Sequence, residues 1–380
     1  MRIAITTWHN GPNCGTFLQC FGLYQYLAMR GHHVTLIDYC HNSEDLIKRG
    51  LEYYLDNPLG LLKRKIVDWR KKKKEIVFQS PFKDLILERD KRMALQWRNI
   101  PITKIVSTPE EFEALNKDFD VFIAGSDQIW NPTMLNRRYM LDYVHNDKIK
   151  AAYGPSIGIG TILPEQRKVY KKYLTTFDFI GVRERMLFNI LKEELPQKNL
   201  MHVLDPSMLY PKDLYLEMAR LPDGIHAGKY VLCYFSMNNE FEENIVRSYA
   251  LEHNLKIVVM AMFGKSWYVN DATILCVDPQ EFVGLIANAA AVFTSSFHCT
   301  IFSIMFHKEL FVFESKQPSK SADTNQRYIE QLENYGIERR YIRYGQTLNN
   351  DILEPIDYIK VEKKFQHRLL DSKAFINQFC

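Results

Sequence analysis

Short apolar runs recur along this chain and alternate with segments whose apolar residues fall at helical spacing. RIAITTW opens the chain, and Leu18, Phe21, Leu23 and Leu27 follow as one helical face that Gly31 ends. HVTLIDY reads as the second strand. DVFIAG, KIKAAYGPSI and FIGVR come later, the last preceded by LPEQRKVYKKYLTTF, a helix opened by Pro164. YVLCYFS, KIVVMAMF, ATILCV, AVFTSS and ELFVF complete the series, most of them separated by helical patterns. A continuous apolar run suits a strand covered on both faces, and strand–helix alternation suits parallel sheets with helices on either side. The pattern therefore predicts an α/β protein of two doubly wound domains facing a cleft. Pro206 and Pro211 punctuate VLDPSMLYPKDLY. The expected division is an N-terminal domain over residues 1–205, a C-terminal domain over 206–345 and a helical tail over 346–380 that packs back across the first domain. A long insertion, residues 43–118, follows the second strand.

Composition changes this picture little. A chain of 380 residues can fill two cores, and a net charge of +4 is too small to imply nucleic acid. The seven cysteines are odd in number and show no Cys-x-x-Cys spacing, so neither a disulfide framework nor a zinc site follows. MRIAITTWHNG reads as a strand rather than a signal peptide, and no apolar run is long enough to span a bilayer. The expected location is the cytoplasm. Within the insertion, LLKRKIVDWRKKKKEI places eight Lys and Arg between Lys63 and Lys74, interleaved with Ile66, Val67 and Trp69. This is either a solvated helical face or a helix that lies on an anionic membrane surface.

Candidate chemistry collects where strands end. In AVFTSSFHCTIFSIMF, Ala291–Phe306, a buried strand stops at two serines and a helix starts near Phe297 or His298. The helix before it carries its own start signal, Asp278 with Pro279 and Glu281. Ser295, Ser296, His298 and Thr300 thus gather at a helix amino end, where free N–H groups and the helix dipole favour an anion and a histidine can donate a proton. The competing reading is a hydroxyl cap beside a hydrogen-bonded core histidine. IAGSDQIWNP has the same form: Asp127, Gln128 and Asn131 can bond sugar hydroxyls, and Trp130 can stack on a sugar face. After the first strand, WHNGPNCGTFLQ offers Gly11 and Gly15 for close backbone approach, without the Gly-x-Gly-x-x-Gly of a dinucleotide site. Asp38, at the end of the second strand, is a weak signal for a ribose. Arg183 ends FIGVR and Arg327 starts a helix; either can clamp a carboxylate or phosphate. Arg339 and Arg340 read as surface ion pairs.

Together NCGTFLQ, GSDQIWNP, GVRE, VLDPSML, TSSFHCTIFSIMFHKELFVF, NQRYIEQLENYGIERR and the closing IDY helix resemble the polysaccharide pyruvyltransferase family over nearly the whole chain. The resemblance implies the glycosyltransferase-B arrangement of two Rossmann-like domains. It implies transfer of the enolpyruvyl unit of phosphoenolpyruvate, without metal or further cofactor, to a sugar of a surface polysaccharide or its lipid-linked precursor as a cyclic ketal. On that basis His298 is the expected general acid, and Ser296, Thr300, Arg327 and Arg183 are expected to hold phosphoenolpyruvate. Asn13, Gly15, Asp127, Gln128, Trp130 and Asn131 are expected to face the acceptor, and Lys63–Lys74 to dock the enzyme peripherally on the inner membrane leaflet. Two positions depart from the family: Cys299 stands where glycine is usual, and Ser295 where aspartate is common. A nucleotide-sugar glycosyltransferase of the same architecture and a non-catalytic sugar- or phosphate-binding protein are the alternatives.

Overall fold

The uninterrupted apolar runs become strands that are buried at every position, as VFIA and AVFT illustrate. In the computed structural model, residues 1–39, 45–47, 83–235, 239–261, 271–315 and 325–380 are described. Lys63–Lys74, with the membrane docking expected of it, lies outside these residues. Strands β1 (Arg2–Thr6), β2 (His33–Leu36), β3 (Val121–Ala124), β4 (Ile149–Tyr153), β5 (Phe179–Val182) and β6 (Asn199–His202) form a parallel sheet in the order β2-β1-β3-β4-β5-β6. Strands β7 (Tyr230–Tyr234), β8 (Lys256–Met260), β9 (Ala272–Leu275), β10 (Ala291–Thr294), β11 (Glu309–Phe313) and β12 (Tyr341–Ile342) form a second, ordered β12-β11-β10-β7-β8-β9. The edge strands β6 and β12 escape the apolar pattern. β6 is partly exposed, with Asn199 and His202 at its ends, and β12 has only two residues.

Helices α1 (Cys14–Ala28), α2 (Lys83–Trp97), α3 (Pro109–Asp118), α4 (Pro164–Leu174) and α5 (Arg185–Glu194) accompany the first sheet. Helices α6 (Lys212–Met218), α7 (Glu240–Glu252), α8 (Pro279–Asn288), α9 (Phe297–Met305), α10 (Gln326–Tyr335), α11 (Asn350–Leu353) and α12 (Tyr358–Ile376) follow. The start signal at Asp278 is realised as a full capping box: its side chain accepts from Glu281 N, and the Glu281 carboxylate accepts from Asp278 N. Gly336 ends α10 at φ 72°, the left-handed conformation that glycine adopts without strain. Helix α12 starts on the second sheet's side, where Tyr358 stacks on His307 with ring centroids 4.7 Å apart. It ends on the first sheet, where Phe375 and Phe379 pack on Phe179 and Ser372 Oγ accepts from Leu204 N at 2.9 Å. The tail thus returns to the first domain.

Each sheet has an outer apolar cluster, one around Phe122, Trp130 and Ile180, the other around Val231, Phe293 and Phe311. Between the sheets lies a third, which runs without a break from Ile3, Phe17 and Trp97 through Val283 and Phe302 to Phe375. Burying a large apolar side chain contributes about 1.5–3 kcal/mol. A core shared this way holds the two halves in one arrangement. Helix α1 is central to it. At Gly22 the helix touches the turn after β6, and a Cβ there would meet Pro206 O at 2.5 Å and Ser207 Cα at 2.8 Å. Helix propensity alone rewards Gly→Ala by about 1 kcal/mol. Here the sign inverts: Gly22→Ala is expected to lower unfolding stability by about 1–3 kcal/mol, read as a lower urea midpoint at unchanged slope.

Candidate active site

Winding reverses between β1 and β3 in the first sheet and between β7 and β10 in the second. Loops part at such a switch point and leave a crevice at the carboxyl ends of the strands. Strand β1 runs into the loop that ends at Asn13, whose Oδ1 caps α1 by accepting from Gly15 N (2.8 Å) and Thr16 N (3.3 Å). Strand β10 runs into Ser296, whose Oγ caps α9 by accepting from Cys299 N at 3.4 Å. The two helix amino ends abut: a Cβ added at Gly15 would overlap the His298 imidazole at Nδ1. Only glycine leaves room for the ring. Two amino ends in contact concentrate partial positive charge at one point.

The His298 side chain is 13% exposed, and its Nε2 lies 3.6 Å from Asp205 Oδ2, an ion-pair separation. Nε2 is buried and makes no hydrogen bond. Asp205 follows β6. Its carboxylate accepts from Arg183 Nη1, from Ser207 N at 3.0 Å and from Ser207 Oγ at 2.6 Å. Arg183 follows β5, covers the Phe297 ring at 4.5 Å and reaches Ser126 Oγ at 3.4 Å. Burial alone would push the Asp205 carboxyl up. His298, Arg183 and the Ser207 hydroxyl outweigh it and hold Asp205 well below the usual carboxylate range. The result is a buried line of groups, Arg183–Asp205–His298, that crosses from one sheet to the other.

Asp127 ends the loop after β3 at φ 69° and ψ −176°, a region that costs a non-glycine residue about 1–3 kcal/mol. Its Oδ1 accepts from Gln128 N at 2.8 Å and its Oδ2 from Thr16 Oγ1 at 2.7 Å, which ties β3 to α1 across the switch point. Asn131 holds Thr133 through its Oδ1 and donates to Gln128 Oε1 at 3.3 Å. Gln128 packs on Gly158.

Several expected roles change. Trp130 is fully buried; its Nε1 donates to Tyr139 O at 3.0 Å and its ring meets Phe177 edge-on, so neither face is open to a sugar. Thr300 is also buried and spends its hydroxyl on Ser296 O at 2.9 Å, which removes it from phosphate binding. Arg183 is committed to Asp205 rather than free to clamp a ligand. Gly15 makes room for His298 rather than for an acceptor. Arg327, half-buried at the start of α10, donates to the Tyr328 hydroxyl at 2.9 Å and lines a crevice with Gly158, Gly160, Glu184 and Glu330. Two carboxylates in that crevice oppose a trianion there. Arg340 is fully buried on Glu309 and the Glu354 carbonyl rather than at the surface. Cys299 points into the core, where burial pushes its thiol up to about 12, so its side chain does not crowd the crevice.

Asp205 is the residue that sequence reading missed. VLDPSML stood out as a motif, and Asp-Pro-Ser reads as turn chemistry; only the pairing of β5 with β6 puts this aspartate on Arg183. Replacing it leaves a guanidinium buried without its partner. Asp205→Asn is expected to cost about 3–5 kcal/mol at neutral pH. The folded carboxyl's pKa is depressed, so its stabilisation is complete above the unfolded value of about 3.9 and is lost as pH falls toward the folded one. Urea unfolding across the acid range should therefore show the wild-type advantage intact above about pH 5 and shrinking below about pH 4.

The sequence profile of the family described as polysaccharide pyruvyl transferase matches residues 13–317. No curated protein matches the chain. Among solved structures, a Listeria monocytogenes protein named for UDP-N-acetylglucosamine 2-epimerase is 11% identical with a TM-score of 0.51, covering 97% of this chain and 90% of that one. The UDP-GlcNAc 2-epimerase of Neisseria meningitidis, bound to UDP-GlcNAc, is 11% identical with a TM-score of 0.48 and covers 98% and 100%. Phytolacca americana UGT2 is 11% identical with a TM-score of 0.46 and covers 100% and 94%. At such identity the likeness concerns the fold alone, and the first of the three carries it: two Rossmann-like domains in the glycosyltransferase-B arrangement. The profile spans most of the chain, including the capped starts of α1 and α9 and the whole Arg183–Asp205–His298 line, and the chain belongs to the polysaccharide pyruvyl transferase family.

Proposed function

We propose that this protein transfers the pyruvate unit of phosphoenolpyruvate to two hydroxyls of one sugar, in a polysaccharide or its lipid-linked precursor, as a cyclic ketal. Family membership supports pyruvyl transfer to a polysaccharide; the donor and the ketal are our reading. One observation carries it: His298 sits where two helix amino ends meet, with Nε2 toward the ionised Asp205. Asp205 faces the ring and orients it, as a carboxylate behind a catalytic imidazole does. Nδ1, on the Gly15 side, is then the nitrogen that hands a proton to the methylene carbon of phosphoenolpyruvate. Protonation makes the neighbouring carbon cationic, a sugar hydroxyl attacks it, and phosphate leaves as the second hydroxyl closes the ring. The amino ends of α1 and α9, with the Ser296 hydroxyl, receive the phosphate. Asn13, Gln128 and Asn131 shape the acceptor side. In this reading side chains and helix ends carry the charges, without a metal or further cofactor and with no role for nucleic acid. Among the described residues no helix is long and apolar enough to cross a membrane; we place the reaction in the cytoplasm, at a saccharide or lipid-linked acceptor.

The test is phosphate release from phosphoenolpyruvate with methyl glycosides of galactose, glucose and N-acetylmannosamine as acceptors. His298→Ala and His298→Gln are expected to slow turnover by about 100- to 10,000-fold while phosphoenolpyruvate still raises the unfolding temperature. Turnover near wild type in either variant removes the assigned role. Stabilisation by UDP or a UDP-sugar but not by phosphoenolpyruvate would instead favour a nucleotide-sugar transferase, and binding without turnover a sugar- or phosphate-binding protein.

A further inference from the structure

Asp127 is held in a backbone conformation that glycine adopts freely and aspartate does not, at φ 69° and ψ −176°. Three hydrogen bonds keep it there: Gln128 N to Oδ1, Thr16 Oγ1 to Oδ2, and Ser156 N to its carbonyl at 2.8 Å. Glycine would fit this position without strain and lacks only the carboxylate. The carboxylate is therefore what the strain retains. Two separate chains of contacts connect it to the imidazole. Thr16, which donates to Asp127, is the chain neighbour of Gly15, against which the His298 ring rests. Ser126, the residue before Asp127, accepts from Arg183, whose other partner Asp205 faces His298. The carboxylate and the imidazole thus flank the first turn of α1. An ionised carboxylate offers about four lone-pair sites, and the two bonds it accepts leave others for a ligand.

We propose that Asp127 is the general base that takes the proton of the attacking sugar hydroxyl, working opposite His298. The proposal rests on the ketal-forming reading above. His298 gives its proton to the methylene carbon, which becomes the methyl group. The first sugar oxygen bonds to the adjacent carbon, and its proton passes to the Asp127 carboxylate. The bond from that carbon to the phosphate oxygen breaks, and phosphate leaves as hydrogen phosphate with the proton Asp127 held. The second sugar oxygen then bonds to the same carbon, and its proton returns to His298. Both groups end as they began, and each bond formed is matched by one broken.

Two variants test this with phosphoenolpyruvate and the same methyl glycosides. Asp127→Asn keeps the shape and removes the basic oxygen. Asp127→Gly removes the side chain and relieves the backbone. Both are expected to release phosphate at least about 100-fold more slowly than wild type. The glycine variant is expected to unfold at no lower a temperature than wild type, and added formate is expected to raise its rate at least about tenfold by replacing the lost carboxylate. Formate should leave His298→Ala unchanged. An asparagine variant within about threefold of wild type overturns the proposal. So does a glycine variant that is inactive, less heat-stable and deaf to formate, because the carboxylate then serves the fold. If wild type releases no phosphate with any of the acceptors, the ketal-forming reading falls first and this proposal with it.

Discussion

A negative charge is buried where this protein's two sheets come together, and partners from both sides make it tolerable. Asp205 is 3% exposed, and removing an ionised carboxylate from water costs several kcal/mol, of order, unless cations and donors replace the lost hydration. Arg183 supplies one cation from the end of the neighbouring strand, Ser207 supplies two donors from the same turn, and His298 arrives from the other sheet. The ion network is therefore complete only when the domains are docked. The apolar core between the sheets, continuous from Phe17 to Phe302 and Phe375, supplies the docking.

Helix α1 links that packing to the chemistry. Its glycine at position 22 lies on the turn that carries Asp205, and its glycine at position 15 lies on the ring that Asp205 faces. Both ends of the Asp205–His298 contact are thus gauged against one rigid element. Its amino end, capped by Asn13, meets the amino end of α9, capped by Ser296. Two helix amino ends in contact gather partial positive charge; the Asp205 carboxylate faces His298 there, and the Asp127 carboxylate holds Thr16 in the first turn of α1. The strained backbone at Asp127 belongs to the same economy: local conformational strain persists where the surrounding bonds over-determine it, as Gln128, Thr16 and Ser156 do here.

Most of the fold was legible in the chain because its signals are local. Continuous apolar runs announced the central strands, the Asp278–Pro279–Glu281 start signal announced α8, and the break at Ser295–Ser296 announced the amino end of α9 with His298 in its first turn. The edge strands β2 and β9 kept the apolar pattern, but β6 and β12 were not legible, since an edge has one partner fewer and tolerates Asn199 or a two-residue pairing.

For the site, the sequence determined that Asn13, Asp127, Arg183, Ser296 and His298 stand at strand ends and helix starts; Asp205 follows β6, which the pattern did not announce. Tertiary structure decided what each of them meets. Residue 183 finds residue 205 because β5 and β6 run side by side, and residue 15 finds residue 298 because two domains dock. Whether Trp130 shows a face to solvent, whether Thr300 keeps a free hydroxyl and where the Cys299 thiol points are settled by neighbours far along the chain or by the helix's own bonds. Local pattern encodes backbone conformation through hydrogen bonding and periodicity. Partners are encoded by packing, which depends on every element at once.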